Sequence, residues 1–168
     1  MAITASDIVF LLSGGAANAD GNASLGGVVS SNAVSSALHA FFDRVTGAEA
    51  AAGDIEYRCL YVKNDHATLT LYGTTVWIST NTPSGDTVMA IGLGTAAIDA
   101  TEQTVVDEAT APTAVSFSAP ATYGAGLLIG DLAAGQKKAI WLRRTVGAGA
   151  AAYNSDGATL SIQGDSGA

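Results

Sequence analysis

Two histidines, one cysteine and scattered carboxylates are all that the 168-residue chain offers to acid–base, nucleophilic or metal chemistry. His39 falls in a stretch with helical spacing and His66 in the turn Asn64-Asp65-His66, so nothing in the sequence brings them together. The lone Cys59 excludes an intrachain disulfide and leaves a thiolate zinc site without ligands. Acids are densest at Asp99, Glu102, Asp107 and Glu108. Paired carboxylates do acid–base work only when a cleft holds them, and this Thr/Ala-rich surrounding reads as a solvated loop. Asn18-Ala19-Asp20-Gly21-Asn22 sets oxygen ligands at alternate positions, as a calcium loop does. The sixth and twelfth positions of such a loop hold Ala23 and Val29 instead of glycine and glutamate, which favours a plain turn. The chain has no Gly-x-Ser-x-Gly elbow, no phosphate-binding Walker loop, and in Gly92-Leu93-Gly94 no third glycine for a dinucleotide fingerprint. The expectation is a protein with no catalytic residues, no cofactor and no metal.

Composition narrows the class further. Hydrophobic residues make up 48% of the chain and charged ones 13%, with 20 glycines and about one residue in five an alanine. That is too apolar for disorder and too poor in Glu, Lys, Arg and Leu for a coiled coil. The formal charge is -8. Binding nucleic acid requires clustered Lys and Arg against the phosphates. The only basic pairs, Lys137-Lys138 and Arg143-Arg144, lie within one expected strand, where neighbours point to opposite faces. Neither nucleic acid nor membrane is expected as a partner, since no segment approaches the ~18 apolar residues of a span. Ala17-Asn18-Ala19 is spelled like a cleavage box. The start lacks a basic n-region, however, and the apolar run Ile8 to Leu12 is too short for a secretory signal.

These residues must be positioned by a scaffold that reads as β from Ile55 onward. Ile55 to Asn64 alternates, placing Tyr57, Cys59 and Tyr61 on one face and Arg58, Leu60 and Val62 on the other. Strands are also predicted at Thr68–Leu71, Thr74–Thr80, Thr87–Leu93, Thr104–Asp107, Ala114–Ser118, Leu127–Ile129, Lys137–Val146 and Ala158–Gln163. Turn chemistry such as Asn81-Thr82-Pro83-Ser84-Gly85-Asp86 separates them. Eight or nine short strands without strand–helix alternation predict an all-β antiparallel sandwich, jelly-roll or immunoglobulin-like, over residues 54–168. Residues 1–53 read as an N-terminal arm, packed on the sandwich or exchanged between subunits. The best helical spacing is at Asn32 to Val45, through Val34, Leu38, Phe41 and Phe42, with a further turn at Glu49–Ala52. Ile8, Val9, Phe10, Leu11 and Leu12 are the candidate assembly contacts: either an edge strand of their own sandwich or a strand added to a neighbour. Trp77 and Trp141 sit mid-strand beside isoleucine. They read as core or interface anchors, or as a sugar-binding surface if one of them is exposed.

Several phrases resemble a group of small virion proteins of tailed bacteriophages. They are Ser13-Gly14-Gly15-Ala16-Ala17-Asn18, Ser24-Leu25-Gly26-Gly27 and Gly53-Asp54-Ile55-Glu56-Tyr57-Arg58-Cys59. Trp77-Ile78-Ser79-Thr80-Asn81-Thr82-Pro83 and Gly135-Gln136-Lys137-Lys138-Ala139-Ile140-Trp141-Leu142-Arg143-Arg144 complete the set. The resemblance covers nearly the whole chain in texture and contains no catalytic motif. It implies a minor capsid or decoration subunit of the virion, a β-sandwich acting as a homotrimer. Its expected partners are the major capsid protein and copies of itself, met in the host cytoplasm during assembly. A tail or baseplate component, or a carbohydrate-binding β-sandwich, are the alternatives.

Overall fold

The computed structural model describes residues 2–166. Its described residues form seven strands in two antiparallel sheets, with one α-helix, so the chain is an all-β sandwich. The strands are β1 (Ile8–Leu12), β2 (Asp54–Asn64), β3 (Leu71–Thr80), β4 (Thr87–Leu93), β5 (Leu127–Leu132), β6 (Lys137–Val146) and β7 (Thr159–Asp165). The larger sheet has the order β1-β2-β6-β4 and the smaller β5-β3-β7.

The alternation read in β2 decides how the layers stack. Leu60 and Val62 point between the sheets and pack with Leu71, Val76, Ile78, Ile91, Ile129, Leu132 and Ile140. Tyr57, Cys59 and Tyr61 point the other way into a second cluster with Trp141, Ala139 and Val105. Loops close that second cluster through Leu25, Val29, Val115 and Phe117. The four-stranded sheet is therefore covered on both faces, which is why β2 is buried along nearly its whole length. Thr104 and Ser118, expected inside strands of their own, instead make single bridges to Gly26 and Ile91. Thr68 to Leu71 likewise forms no strand of its own, Leu71 being the first residue of β3.

The helix is not where the apolar spacing placed it. Asn32 to Val45 is irregular, and α1 spans Gly47–Ala52. Two local causes compete successfully against the helix in 32–45. Asn32 and Val34 give their backbone to β1, and His39 adopts φ 61. The spaced apolar set also fails to share a face, since Leu38 is exposed while Phe41 and Phe42 pack toward the core. In α1 a capping box supplies the start: Thr46 Oγ1 accepts from the Glu49 amide at 3.3 Å, and Glu49 accepts from the Thr46 amide at 2.6 Å. Gly53, at φ 81, turns the chain out of the helix and into β2.

Candidate functional site

Ile8–Leu12 forms the edge of the larger sheet, in register from Ile8 opposite Asn64 to Leu12 opposite Leu60. Its outer edge is met by the same chain, where Val34 donates to Phe10 O at 2.8 Å and Ser30 donates to Leu12 O at 2.8 Å. Leu12 in turn donates to Asn32 O at 2.9 Å. Ile8 and Phe10 pack on the inter-sheet core, Leu11 packs on the second cluster, and Leu12 is buried. Val9 is half-buried in the same strand.

β1 covers only the Leu60–Asn64 half of the β2 edge. The other half is satisfied by loops, with Cys59 N donating to Ser24 O and Tyr57 N donating to Glu108 O, both at 2.7 Å. Buried hydroxyls complete the attachment. Ser13 Oγ donates to Cys59 O at 2.8 Å and accepts from Gly26 N at 3.0 Å. Tyr61 donates to Gly27 O at 2.6 Å and accepts from Glu102 N at 2.9 Å. Gly26 is required there, because at φ 91 an added Cβ would lie 1.9 Å from the Gln103 carbonyl oxygen.

Among the described residues, His39, His66 and Cys59 lie in separate surroundings. His66 Nδ1 accepts from the amides of Thr68 at 3.1 Å and Leu69 at 3.0 Å, a turn-holding role, while His39 is exposed. Burial pushes the Cys59 thiol up, so it stays protonated and inert. In the Asn18–Asn22 stretch Asp20 caps the Asn22 amide at 2.9 Å, while Asn22 Oδ1 accepts from Arg58 at 3.4 Å and Asn18 O from Ser30 Oγ at 2.6 Å. The acid-rich loop departs from the solvated face expected of it. Glu102 is buried and accepts from the amides of Thr95 at 3.2 Å and Ala96 at 3.0 Å. Burial alone would raise its pKa, but these backbone donors outweigh that and lower it. Asp99 pairs with Lys137 at 2.6 Å, and Glu108 pairs with Arg58.

A buried ion cluster forms with no sequence motif to mark it. Glu56 faces Arg144 across the β2–β6 ladder and is ion-paired to it, with Arg58 3.9 Å away on the same strand face. Arg144 also donates to Asp43 O at 2.6 Å and meets Asp43 Oδ1 at 3.2 Å. The Phe42 ring lies 5.1 Å from the Arg144 guanidinium carbon and 5.4 Å from that of Arg58, against both cations. Asp43, Glu56 and Glu108 bring carboxylate oxygens within 4.8 Å of one another, and each is ion-paired to Arg58 or Arg144. The cluster therefore joins three pieces of chain: the 41–43 segment, the 108 loop and the sheet. The sequence did carry a signal for it. Glu56 and Arg58 alternate onto the face that continues as Leu60 and Val62, and charge on such a face must be paired.

Burial raises the Glu56 carboxyl to about 7, against the opposing pull of Arg144 and Arg58. A carboxyl raised in the folded state holds its proton there after the unfolded chain has lost it. Its contribution to stability is then full below about pH 4.5 and declines as pH rises to about 7. Glu56→Gln is expected to remove this decline, so the stability difference between wild type and variant drifts by up to about 3 kcal/mol between those limits. Urea unfolding of both proteins at pH 4.5, 5.5, 6.5 and 7.5 measures it, and parallel curves would contradict it.

The outer face of the three-stranded sheet has a different character. A register shift at Gly73 (φ 57) resets β3, so Thr74, Val76 and Ile78 point inward and Thr75, Trp77 and Ser79 outward. Leu128, Ser161 and Gln163 share that outer face, and the Tyr123 ring stands 5.7 Å from Trp77 at 76°. Trp141, by contrast, is fully buried. Comparisons with family models, curated proteins and solved structures find no match for this chain.

Proposed function

We propose that the chain is a non-enzymatic virion structural protein of a tailed phage. In this reading it is a capsid decoration, or minor capsid, subunit that bridges major capsid proteins as a homo-oligomer. The observation that carries the reading is the loop layer over the four-stranded sheet. It is fixed by buried Ser13, Tyr61 and Glu102, yet it leaves Val28 and Val106 in solvent at opposite ends of the Gly26–Thr104 pairing. Val106 is 87% exposed. Beside Val28 lies a shallow depression lined by Gly14, Gly15 and Gly27, where another chain can approach the backbone closely. A stiff surface with small residues and stranded apolar side chains suits attachment, and a low charge density limits repulsion among crowded copies. The phage phrases quoted from the sequence add to the same reading.

The test uses heads of the encoding phage assembled without the protein, mixed with the purified chain and sedimented. Saturable binding is expected, and the double variant Val28→Asp/Val106→Asp is expected to bind about tenfold more weakly while melting like wild type. No binding by the wild type, or equal binding by the variant, would overturn the assignment of this face.

A further inference from the structure

We infer that the outer face of the three-stranded sheet around Trp77 is a binding platform for a neutral, pyranose-based oligosaccharide. The inference stands on this face alone and does not depend on the virion reading. While the four-stranded sheet is covered on both sides, the smaller sheet meets the turn Tyr123–Ala125 against β3. That turn braces the half-buried Trp77 through the Tyr123 ring, set edge-on to the indole. Tyr123 itself is 46% exposed.

The groups around the indole are hydroxyls and an amide. Ser161 lies directly opposite Trp77 across the ladder, and its hydroxyl is 2.7 Å from that of Ser79. Gln163, exposed, is opposite Thr75. A pyranose presents an apolar C–H face that stacks on an aromatic ring, and a rim of hydroxyls that pair with donors and acceptors of this kind. Leu128, 65% exposed, extends the apolar strip on the far side of β3.

Charge selects among possible occupants. The three strands Leu71–Thr80, Leu127–Leu132 and Thr159–Asp165 contain no Lys or Arg, so sulfated, phosphorylated or sialylated ligands find no counter-charge. The only charged side chains on these strands, Asp131 and Asp165, lie toward the Tyr72 end, away from Trp77. They would repel an anionic ligand, and a second copy docking face to face would have to desolvate both of them.

Isothermal titration of the purified chain with cellohexaose, maltohexaose and chitohexaose tests the inference. Saturable heat with at least one probe at concentrations near about 1 mM is expected. Trp77→Ala is expected to weaken that binding about tenfold or more, with an unchanged melting temperature, and Tyr123→Ala to weaken it less. Three outcomes would overturn it. The first is no saturable heat with any of the three glycans, and the second is equal binding by Trp77→Ala. The third is concentration-dependent self-association abolished by Trp77→Ala without a glycan response, which would make the face a contact between copies. A failure in sedimentation with phage heads leaves these results untouched.

Discussion

Replacing Arg144 with alanine is expected to lower the unfolding free energy by about 3–5 kcal/mol, the usual cost of removing one partner from a buried ion pair. The effect is large because Glu56 stays behind. Its carboxylate is buried on the inner side of β2, and Arg144 is the cation directly across the ladder. Arg58 lies nearby but is committed to Glu108 and to the Tyr57 carbonyl at 3.1 Å. The same substitution releases Asp43, whose backbone oxygen accepts from Arg144, and one of the two cations held against Phe42. Exchanging both partners tests the origin of the cost. Arg144→Met combined with Glu56→Gln removes charge from both sides and is expected to recover most of the lost stability. Chemical unfolding at pH 8.5, where Glu56 is ionised in the wild type, measures all three proteins. A single variant within about 0.5 kcal/mol of wild type would show that the cluster contributes little.

Deleting residues 1–12 is expected to abolish cooperative folding of the isolated chain, a more severe outcome than loss of a detachable arm. The deletion takes away a sheet strand whose five residues pair with Leu60–Asn64. Ile3, Ile8 and Phe10 leave the inter-sheet core and buried Leu12 leaves the edge. At about 1.5–3 kcal/mol for each large apolar side chain, that loss rivals the ~5–15 kcal/mol of a typical domain. Two further consequences add to it. The amides and carbonyls of β2 lose their partners, and segment 30–34, bonded to the outer edge of β1, loses its anchor. Fully buried Trp141 is a convenient reporter. The truncated chain is expected to show no urea transition in its fluorescence, and a transition with the wild-type midpoint and slope would contradict the account.

The same strand shows where sequence reading succeeds and where it stops. Ile8–Leu12, Thr87–Leu93 and Lys137–Val146 were legible to the residue, because a short β-branched or apolar run between turn residues leaves few alternatives. The two faces of β2 were equally legible from period-two alternation. That both faces are covered was not, since covering the second face depends on loops joined to it by single hydrogen bonds, from the Cys59 and Tyr57 amides to Ser24 O and Glu108 O and from Ser13 Oγ to Cys59 O. Thr104–Asp107 and Ala114–Ser118 have strand composition, but each finds only one bridging partner and remains loop. At 32–45, helical spacing lost to backbone bonds offered by β1, a tertiary competition invisible to local pattern. Glu102 and Glu108 had loop composition around them, so their buried partners, amides in one case and Arg58 in the other, were hidden for the same reason.

The two unlike faces define the molecule proposed here. One is a loop layer fastened over the larger sheet, and the other is the face around Trp77 and Tyr123 on the smaller. The virion role rests on the first of them, and one measurement addresses it directly: a reconstruction of the encoding phage particle. Many copies are expected on the outside of the head, at junctions between major capsid subunits, with Val28 and Val106 turned toward the shell. Density for the chain confined to the tail, or a particle that lacks it altogether, would contradict the account.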